Sequence, residues 1–345
     1  MLIRRTGLPL LLAAIVLLIP QQVHGYGPVG HMRVVIQNWP NVFQPSLGVP
    51  LTNKEMAFAA LAAAVSSDIG YVKSNARDFT DSVHYVRSGD FVDALIQNAQ
   101  ARKNKKLLAF ALGFGTHYWA DRYGHYSATN RLVAMIKKAP RARFTYEEDP
   151  CVHTWVETQL SFIDLQDAPA VVFTSFVDSI GNMHGDVDDF LASAYTLLRE
   201  TAEQVYPGTR IVFGAMDLFR FLRFVAASIS ITDEIGNKMF GAKAWRGAKS
   251  ASSEGIVADA EKEEDEASGL TKLRDDLTHP LPLNPEEVHR IYGDSLSEVR
   301  GHMGSLRGSV AQLQPGYESC FAIRSISVRR CGLSPRRATH DTIRR

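Results

Sequence analysis

The chain has 345 residues, of which 45% are hydrophobic and 22% charged, and its formal net charge is +1. This composition is ordinary for a folded globular protein, and the near-neutral charge excludes a global electrostatic preference for nucleic acid or an anionic membrane. Three cysteines (Cys151, Cys320 and Cys331) are too few for a disulfide scaffold. Cys320 and Cys331 could pair, and we then expect Cys151 to be left over and buried.

Residues 1–25 have the pattern of a secretory signal peptide. The basic pair Arg4-Arg5 precedes an apolar run from Leu8 to Ile19, and Val23 and Gly25 supply small residues at the third and last positions before a cut. The run is shorter than the roughly 20 residues that span a bilayer as a helix. We therefore expect cleavage after Gly25, a secreted or extracytoplasmic protein, and Tyr26 as the mature N-terminus. An uncleaved membrane anchor is the alternative.

Helical periodicity dominates the sequence after this segment, and strand signals are weak. Ala170 to Phe173 is β-prone but too short to build a sheet. The pattern therefore predicts an all-α domain over residues 26–249. The predicted helices are Lys54 to Val65, which is Ala-rich and buried, Phe91 to Gln100, Leu107 to Tyr126, Val152 to Asp164, Val187 to Val205 and Ile211 to Ile231.

The composition changes after residue 249. Ser250 to Asp276 mixes many acidic residues with Gly, Ser and Ala, and we interpret residues 250–282 as a solvated acidic linker or mobile loop. A metal-binding acidic loop is possible but lacks the fixed spacing that such loops use. Residues 283–345 are predicted to form a helix, starting near Asn284-Pro285, and a disordered basic tail. A contact of that tail with anionic lipid is the alternative.

The most informative stretch is His117-Tyr-Trp-Ala-Asp121-Arg-Tyr-Gly-His125. Residues four apart on an α-helix return to nearly the same face, so this spacing predicts one polar stripe on an apolar helix. A buried carboxylate between imidazoles is costly unless it is paired, and a divalent metal accepts both ligand types. His153 and Glu157 repeat the spacing on a second predicted helix. Either set alone could be an ordinary ion pair, but together they favour a metal site.

Further candidates lie upstream. Asp68 follows the Ala-rich helix, where it could simply cap or end that helix, and His84 could equally be a core or loop histidine. Tyr26 and His31 lie directly after the predicted cleavage site. A freed α-amino group has a pKa low enough to bind a metal near neutral pH, although an ordinary frayed terminus is the alternative.

This ordered set of residues resembles the zinc-dependent phospholipases C and their relatives, glycosylphosphatidylinositol-specific phospholipase D and the zinc single-strand nucleases. The resemblance covers residues 26–160 well and extends loosely to about residue 249. It implies an all-helical bundle around a three-zinc cluster. By resemblance, the first zinc takes Asp68, His84, His117 and Asp121, the second takes His125, His153 and Glu157, and the third takes the amino nitrogen and carbonyl of Tyr26 with His31 and a bridging Asp121.

The sequence departs from the family pattern at several positions. Tyr26 stands where the bacterial phospholipases C and the nucleases usually have Trp, a change that should be tolerated because the ligands there are backbone atoms. Asp121 and His125 are separated by three residues instead of five, as in the phospholipase D branch. Val29 and Ile69 stand where choline-selective bacterial enzymes have an acid and an aromatic residue, so a choline-selective pocket is not expected.

The resemblance implies hydrolysis of a phosphodiester, with Asp68 as the candidate that orients or deprotonates the attacking water. The favoured interpretation is a phospholipase C or D acting on a phospholipid or lipid anchor at a membrane surface. One alternative is a single-strand nuclease, for which Trp119, Tyr123 and Trp155 could serve as stacking platforms. The other is a non-enzymatic helical domain with a structural zinc site. The sequence leaves the head group, the bond cleaved and the oligomeric state open.

Overall fold

The computed structural model describes residues 26–138, 149–183, 189–209, 211–241, 245 and 250–304. The predicted signal peptide, the basic tail and the predicted pairing of Cys320 with Cys331 lie outside these residues. The described chain is helical and contains no β-strand, which confirms the all-α prediction. No single helix in these ranges is long and apolar enough to span a membrane, although two consecutive helices bent by 110° at their junction, Pro150–Asp167 and Ala170–Gly181, pass that test as a pair.

The helices are numbered here in chain order. They are α1 Gly27–Asn38, α2 Gln44–Leu47, α3 Lys54–Ser66, α4 Ile69–Val72, α5 Arg77–Tyr85, α6 Ser88–Ala101, α7 Lys105–Trp119, α8 Asn130–Lys137, α9 Pro150–Asp167, α10 Ala170–Gly181, α11 Asp189–Val205, α12 Ala215–Phe240, α13 Ser253–Ala260, α14 Glu264–Thr278 and α15 Pro285–His302. A 3₁₀ turn spans Ser74–Ala76, and π-helical segments span Trp39–Phe43 and Ala120–Thr129.

Four of these helices begin at side-chain caps that the sequence supplies. The first residues of α3, α7, α9 and α15 follow Asn53, Asn104, Asp149 and Asn284, and each cap oxygen accepts a hydrogen bond from a first-turn N–H. Such caps satisfy backbone donors that the helix itself cannot pair. They therefore fix where the helices that lead to the site begin.

Helices α3 and α7 pack against each other at the centre of the bundle. Every residue from Ala57 to Ser66 is buried. A Cβ on Gly113 of α7 would lie 2.1 Å from the carbonyl oxygen of Ala60, so only glycine allows the two backbones to approach this closely. The crossing holds the ends of both helices, and with them Asp68 and His117, in one place.

The sequence predicts one α-helix from Leu107 to Tyr126. In the structure α7 ends at Trp119 and continues into a π-helical segment. The segment Ala120–Thr129 carries both Asp121 and His125 and leads directly into α8. Its hydrogen bonds join residues five apart, which widens each turn, and such segments are frequent at functional sites. The predicted polar stripe therefore exists, but on a wider helix than expected.

Two local features bear on what the sequence indicates. Ala170 to Phe173, which is β-prone but too short to build a sheet, is the start of α10, where Val172 and Phe173 are buried against the core. Burial on a helical face overrides the weak strand preference of such residues. Cys151, expected to be buried, is exposed in the first turn of α9.

The acidic segment is also not a mobile linker, because it forms α13 and α14. Glu266 of α14 is fully buried, with Oε1 3.1 Å from Lys73 Nζ and Oε2 3.1 Å from Arg223 Nη2. Burying a carboxylate is tolerable when it is paired in this way. The linker prediction was wrong because it took a run of charges as a sign of solvent exposure.

Candidate metal centre

Two carboxylates and two imidazoles converge beside the crossing of α3 and α7. Asp68 follows α3, His84 lies in the last turn of α5, His117 lies in the last turn of α7, and Asp121 lies on the π segment. The Nε2 atom of His84 is 3.2 Å from Asp68 Oδ1 and 3.2 Å from Asp121 Oδ2. The Nε2 atom of His117 is 3.4 and 3.0 Å from the same two oxygens, and the two Nε2 atoms are 3.1 Å apart.

The other nitrogens of these imidazoles fix which atoms can bind a cation. His84 Nδ1 lies 2.7 Å from the carbonyl oxygen of Thr80, and His117 Nδ1 lies 2.7 Å from that of Ala64. A carbonyl oxygen only accepts, so each Nδ1 carries the hydrogen and the neutral ring keeps its lone pair on Nε2. In the neutral rings both lone pairs therefore point at each other and at two carboxylates, an arrangement that repels itself unless a proton or a metal cation lies between them.

The separations fit one tetrahedral zinc ion. Ligand bonds of about 2.0–2.1 Å place the corners of a regular tetrahedron about 3.3–3.4 Å apart. Five of the six distances among the ligand atoms of Asp68, His84, His117 and Asp121 lie between 3.0 and 3.4 Å. These four side chains thus have the chemistry of a zinc site, and these five distances are near the expected spacing.

Asp121 also reaches a second set of imidazoles through its other oxygen. Its Oδ1 atom lies 3.2 Å from His125 Nε2 and 3.5 Å from His31 Nε2. The His31 ring stacks on the His117 ring, with centroids 3.8 Å apart and planes inclined by 15°. The carboxylate of Asp121 is therefore placed to bridge two metal ions.

A third group lies where the π segment meets α9. His153 and Glu157, four residues apart on α9, are buried, and His153 Nε2 lies 2.7 Å from Glu157 Oε1. The rings of His125 and His153 have centroids 5.2 Å apart. Ligand atoms lie within 4.8 Å of one another in each of three groups, which are Asp68 with His84 and His117, His31 with His117 and Asp121, and His125 with His153 and Glu157.

Tyr26 and His31 join this cluster through α1. Residues 27–30 form the first turn of α1, and Tyr26, directly before it, is fully buried. Its ring centroid lies 6.2 Å from that of His31, and Ser161 Oγ donates to its carbonyl oxygen at 3.5 Å. The structure thus brings the eight predicted side-chain ligands into three groups and places Tyr26 beside His31.

The carboxylates and imidazoles shift one another's pKa values. Burial alone would lower the pKa of His84, but its hydrogen bonds to Asp121 and Asp68 and their charges raise it to about 10. Burial and the neighbouring His117 lower the pKa of His31 to about 3, so this ring is neutral and can act as a ligand. Burial raises the pKa of Glu157 well above its usual range. The charges of Asp121 and Asp68 also raise the pKa of His117, against the effect of burial. Without a metal, protons on these groups thus offset the carboxylate charge, and a divalent cation would replace them.

Unpartnered polar atoms point to the same conclusion. Several buried atoms make no hydrogen bond of acceptable geometry within the described chain: both ring nitrogens of His31, Oδ2 of Asp68, Oδ1 of Asp121, Nε2 of His125 and Oε2 of Glu157. Each such atom costs about 1–3 kcal/mol when it is left unpaired. Imidazole nitrogen and carboxylate oxygen are the donors that zinc accepts, so the residues present fit this metal.

Among the described residues, the cluster is most exposed to solvent at Asp121 and His125. The side chains of Asp121 and His125 are 20% and 22% exposed, whereas those of Asp68 and Glu157 are 1% exposed. A ligand could therefore reach the cluster at Asp121 and His125, and Asp68 and Glu157 lie deeper.

Comparison with known proteins identifies the family. Residues 31–206, just over half of the chain, match the family described as zinc dependent phospholipase C. The chain belongs to the zinc-dependent phospholipase C family. This confirms the resemblance found in the sequence, and it identifies zinc as the family's metal and hydrolysis as its reaction class. The match includes every predicted ligand except Tyr26 and ends before α12. No curated protein and no solved structure gives a significant match to the chain.

Sequence reasoning missed the groups that support the ligands. The carbonyls of Ala64 and Thr80, which orient His117 and His84, are backbone atoms and have no signature in a sequence. Ser295 contacts the hydroxyl of Tyr26, and Ser127 contacts Ser295. Both serines lie in helical segments, where a hydroxyl usually has no special role. Only coordinates could identify these four.

Proposed function

We propose that this member of the zinc-dependent phospholipase C family is a secreted phosphodiesterase that holds three zinc ions and hydrolyses a phospholipid or lipid-anchor phosphodiester. The observation that carries the proposal is the position of Asp121, whose two oxygens lie within 3.0–3.5 Å of four imidazole nitrogens. A carboxylate so placed joins neighbouring cations into one reactive centre.

The ligand assignment is the one that the family resemblance implies, and the three groups of side chains support it. The first ion would be held by Asp68, His84, His117 and Asp121, and the second by His125, His153 and Glu157. The third would be held by His31, Asp121 and the backbone nitrogen and carbonyl of Tyr26. When bound, zinc supplies a water of lowered pKa and polarises the phosphoryl oxygen.

The residues of the chain would then position the reacting groups. Asp68 is the candidate to orient the attacking water, because Oδ1 faces His84 and His117 while Oδ2 makes no hydrogen bond. Burial opposes its ionisation, but the charges of His117 and His84 keep its pKa below the usual range, so it remains a carboxylate that accepts a hydrogen bond. The carbonyls of Thr80 and Ala64 hold the two imidazoles in the required tautomer.

Exposed apolar side chains favour a lipid substrate. Tyr85 and Val86, directly after His84, are 60% and 50% exposed, and Tyr126, directly after His125, is 61% exposed. Amphipathic tyrosines are typical of surfaces that meet the lipid head groups. These residues flank two of the histidines at the open side of the cluster, where a bilayer would present its phosphates.

The aromatic residues suggested for a nuclease are engaged within the protein. Tyr123 stacks on Trp119, with centroids 5.6 Å apart, and on His302, with centroids 3.7 Å apart. Trp155 Nε1 donates to the carbonyl oxygen of His279 at 2.6 Å. Base stacking on Tyr123 would require its ring to be released from one of these two contacts, so the nuclease is the less favoured function.

The test compares substrates on the zinc-loaded mature protein. Phosphatidylcholine vesicles, a lipid-anchored protein and a single-stranded oligonucleotide are incubated separately, with and without a zinc chelator. We expect chelator-sensitive release of head group from lipid only. Diacylglycerol as product identifies phospholipase C chemistry, and phosphatidic acid identifies phospholipase D chemistry. Cleavage of the oligonucleotide alone would instead support the nuclease.

Two variants separate catalysis from a structural zinc site. Asp68→Asn should lower kcat at least a hundredfold, as loss of a group that orients or accepts a proton does, with the fold retained. The control is Asp81→Asn, which changes a partly exposed carboxylate on α5 whose ion pair within the described chain is with Arg77. A protein that unfolds on Asp68→Asn and has no activity in the wild-type form would support the structural-site alternative.

The surface variants test lipid binding separately. Tyr85→Ser with Tyr126→Ser should raise KM for vesicles but leave kcat/KM for a soluble short-chain lipid unchanged. Val171→Ser is the control, since Val171 is 68% exposed on α10, which contributes no proposed ligand. Equal loss on both substrates would argue against a lipid-facing role. N-terminal sequencing of exported protein tests secretion, and the expected first residue is Tyr26.

A further inference from the structure

The phenol of Tyr26 is held by two serines from distant parts of the chain. Its hydroxyl forms a short hydrogen bond with Ser295 Oγ on α15. Ser295 Oγ lies 2.6 Å from Ser127 Oγ on the π segment, and Ser127 Oγ donates to the carbonyl oxygen of Tyr123 at 2.7 Å. These contacts form one continuous chain of hydroxyl groups.

The direction of the hydrogen bonds in this chain is fixed. The Ser127 hydrogen is used on a carbonyl, which cannot donate, so Ser127 must accept from Ser295. The Ser295 hydrogen is then used as well, and Ser295 must accept from Tyr26. Tyr26 is therefore the donor, and a side chain without a hydroxyl at this position would leave a buried acceptor unpaired.

The surroundings of the ring are built for this side chain. Tyr26 is fully buried, and a Cβ on Gly124 would lie 2.3–2.5 Å from the phenol ring and its oxygen. The ring of Tyr292 on α15 meets the Tyr26 ring edge-on, with centroids 5.3 Å apart. The phenol is thus enclosed by Gly124 of the π segment and by Tyr292 and Ser295 of α15.

We propose that Ser295 and Ser127 form a clamp on Tyr26 that positions the segment Tyr26–His31 for the third zinc ion. This rests on the proposed function, in which Tyr26 supplies backbone ligands to that ion. The side chain of Tyr26 therefore has a role in addition to that of its backbone atoms. Where the bacterial enzymes usually have Trp, this chain has a tyrosine whose hydroxyl pairs with Ser295. Helix α15, which lies outside the family match, becomes part of the metal site.

The test uses zinc-loaded mature protein and the variants Ser295→Ala and Tyr26→Phe, which remove opposite ends of the same hydrogen bond. We expect each to weaken binding of one zinc ion of the three about tenfold in a chelator competition, as expected for loss of a buried hydrogen bond. The double variant should lose no more than the stronger single variant, because both remove one interaction.

A matched serine on the same helix is the control. Ser297 is exposed and its hydroxyl donates to the carbonyl oxygen of Gly293 at 3.0 Å, so Ser297→Ala should bind all zinc ions as the wild type does. Where the wild-type protein binds three ions, unchanged zinc binding in Ser295→Ala, or an equal weakening of all the ions, would overturn the clamp.

Hydrogen–deuterium exchange of the peptide covering residues 26–38 distinguishes failure of the clamp from failure of the proposed function. Faster exchange in Ser295→Ala and Tyr26→Phe than in Ser297→Ala supports the clamp even if the wild-type protein binds fewer than three ions or cleaves no lipid. Identical exchange in all four proteins would overturn it, whatever the activity.

Discussion

Asp121 is the side chain on which the proposed metal centre depends most. Substitution Asp121→Asn preserves its shape, but it removes the charge and replaces one of two lone-pair oxygens with an N–H donor. In the structure each of the two carboxylate oxygens of Asp121 faces two imidazole nitrogens. Whichever way the amide of the variant is oriented, its NH2 group therefore faces two imidazole nitrogens that should bind metal. We expect loss of the two ions that share Asp121, while the ion at His125, His153 and Glu157 remains.

The size of the effect follows from linkage. A ligand present at 100 times its Kd stabilises the folded state by about 2.7 kcal/mol per site. Loss of two such sites removes about 5 kcal/mol of zinc-dependent stabilisation. Since 1 kcal/mol corresponds to roughly 2–4 °C in Tm for a domain of 150–250 residues, the zinc-induced rise in Tm should shrink by about 10–20 °C.

The assay combines zinc content by atomic emission with thermal unfolding in the presence of zinc and of a chelator. Asp81→Asn, on the exposed side of α5, is the control and should retain the full zinc content and the full rise in Tm. We also expect kcat of the Asp121 variant to fall at least a thousandfold. An Asp121→Asn protein with wild-type zinc content and an undiminished rise in Tm would refute the bridging role.

Three further predictions concern stability. Glu266→Gln leaves the cations of Lys73 and Arg223 facing a neutral amide, so it should lower the free energy of unfolding by about 3–5 kcal/mol in denaturant titration. Glu263 is more exposed, and Glu263→Gln should lower the free energy of unfolding by under about 1 kcal/mol. Burial raises the pKa of Asp164 to about 7, against the opposing effects of its hydrogen bond from Tyr292 and the charge of Arg33, so the folded state keeps a proton that the unfolded chain releases near pH 4. The free energy of unfolding should therefore fall as pH rises from about 4 to 7. Asp164→Asn should remove this dependence and stabilise the protein by about 2–4 kcal/mol at pH 8. A parallel pH profile in wild type and variant would contradict this prediction. Gly113→Ala should destabilise the bundle by about 1–3 kcal/mol because its Cβ would meet the Ala60 backbone, while Gly255→Ala, with open space around it, should stabilise slightly in the same titration.

The sequence was sufficient to predict two pairs of candidate ligands because metal binding imposes residue types at fixed spacing. His117 and Asp121, and likewise His153 and Glu157, are neighbours on a helix surface once their helices form. The periodicity that predicts those helices is local, so both steps can be read without coordinates. Convergence of the two pairs with Asp68 depends on packing, and only the family resemblance predicted it.

The features that could not be predicted depend on distant partners or on backbone geometry. Glu266 is buried because Lys73 and Arg223 reach it, and they lie 193 and 43 residues away in the chain. The π segment has no distinct composition, since the same residues at Asp121–His125 would also suit an α-helix. Ser295 lies 269 residues from Tyr26, and nothing in its local sequence marks it as a partner.

The helices beyond the family match are therefore better understood as support for the metal centre than as an appendage. Lys73, which binds Glu266 of α14, lies in the turn that follows Asp68 and α4. The α9 side chain Gln159, two residues after Glu157, donates at 2.7 Å to the carbonyl oxygen of Asp276 on α14. The turn that follows Asp68 and helix α9 are thus each held by a contact with α14. Because metal ligands must be held within a few tenths of an ångström, a protein lacking these helices would lose zinc affinity even with every ligand in place.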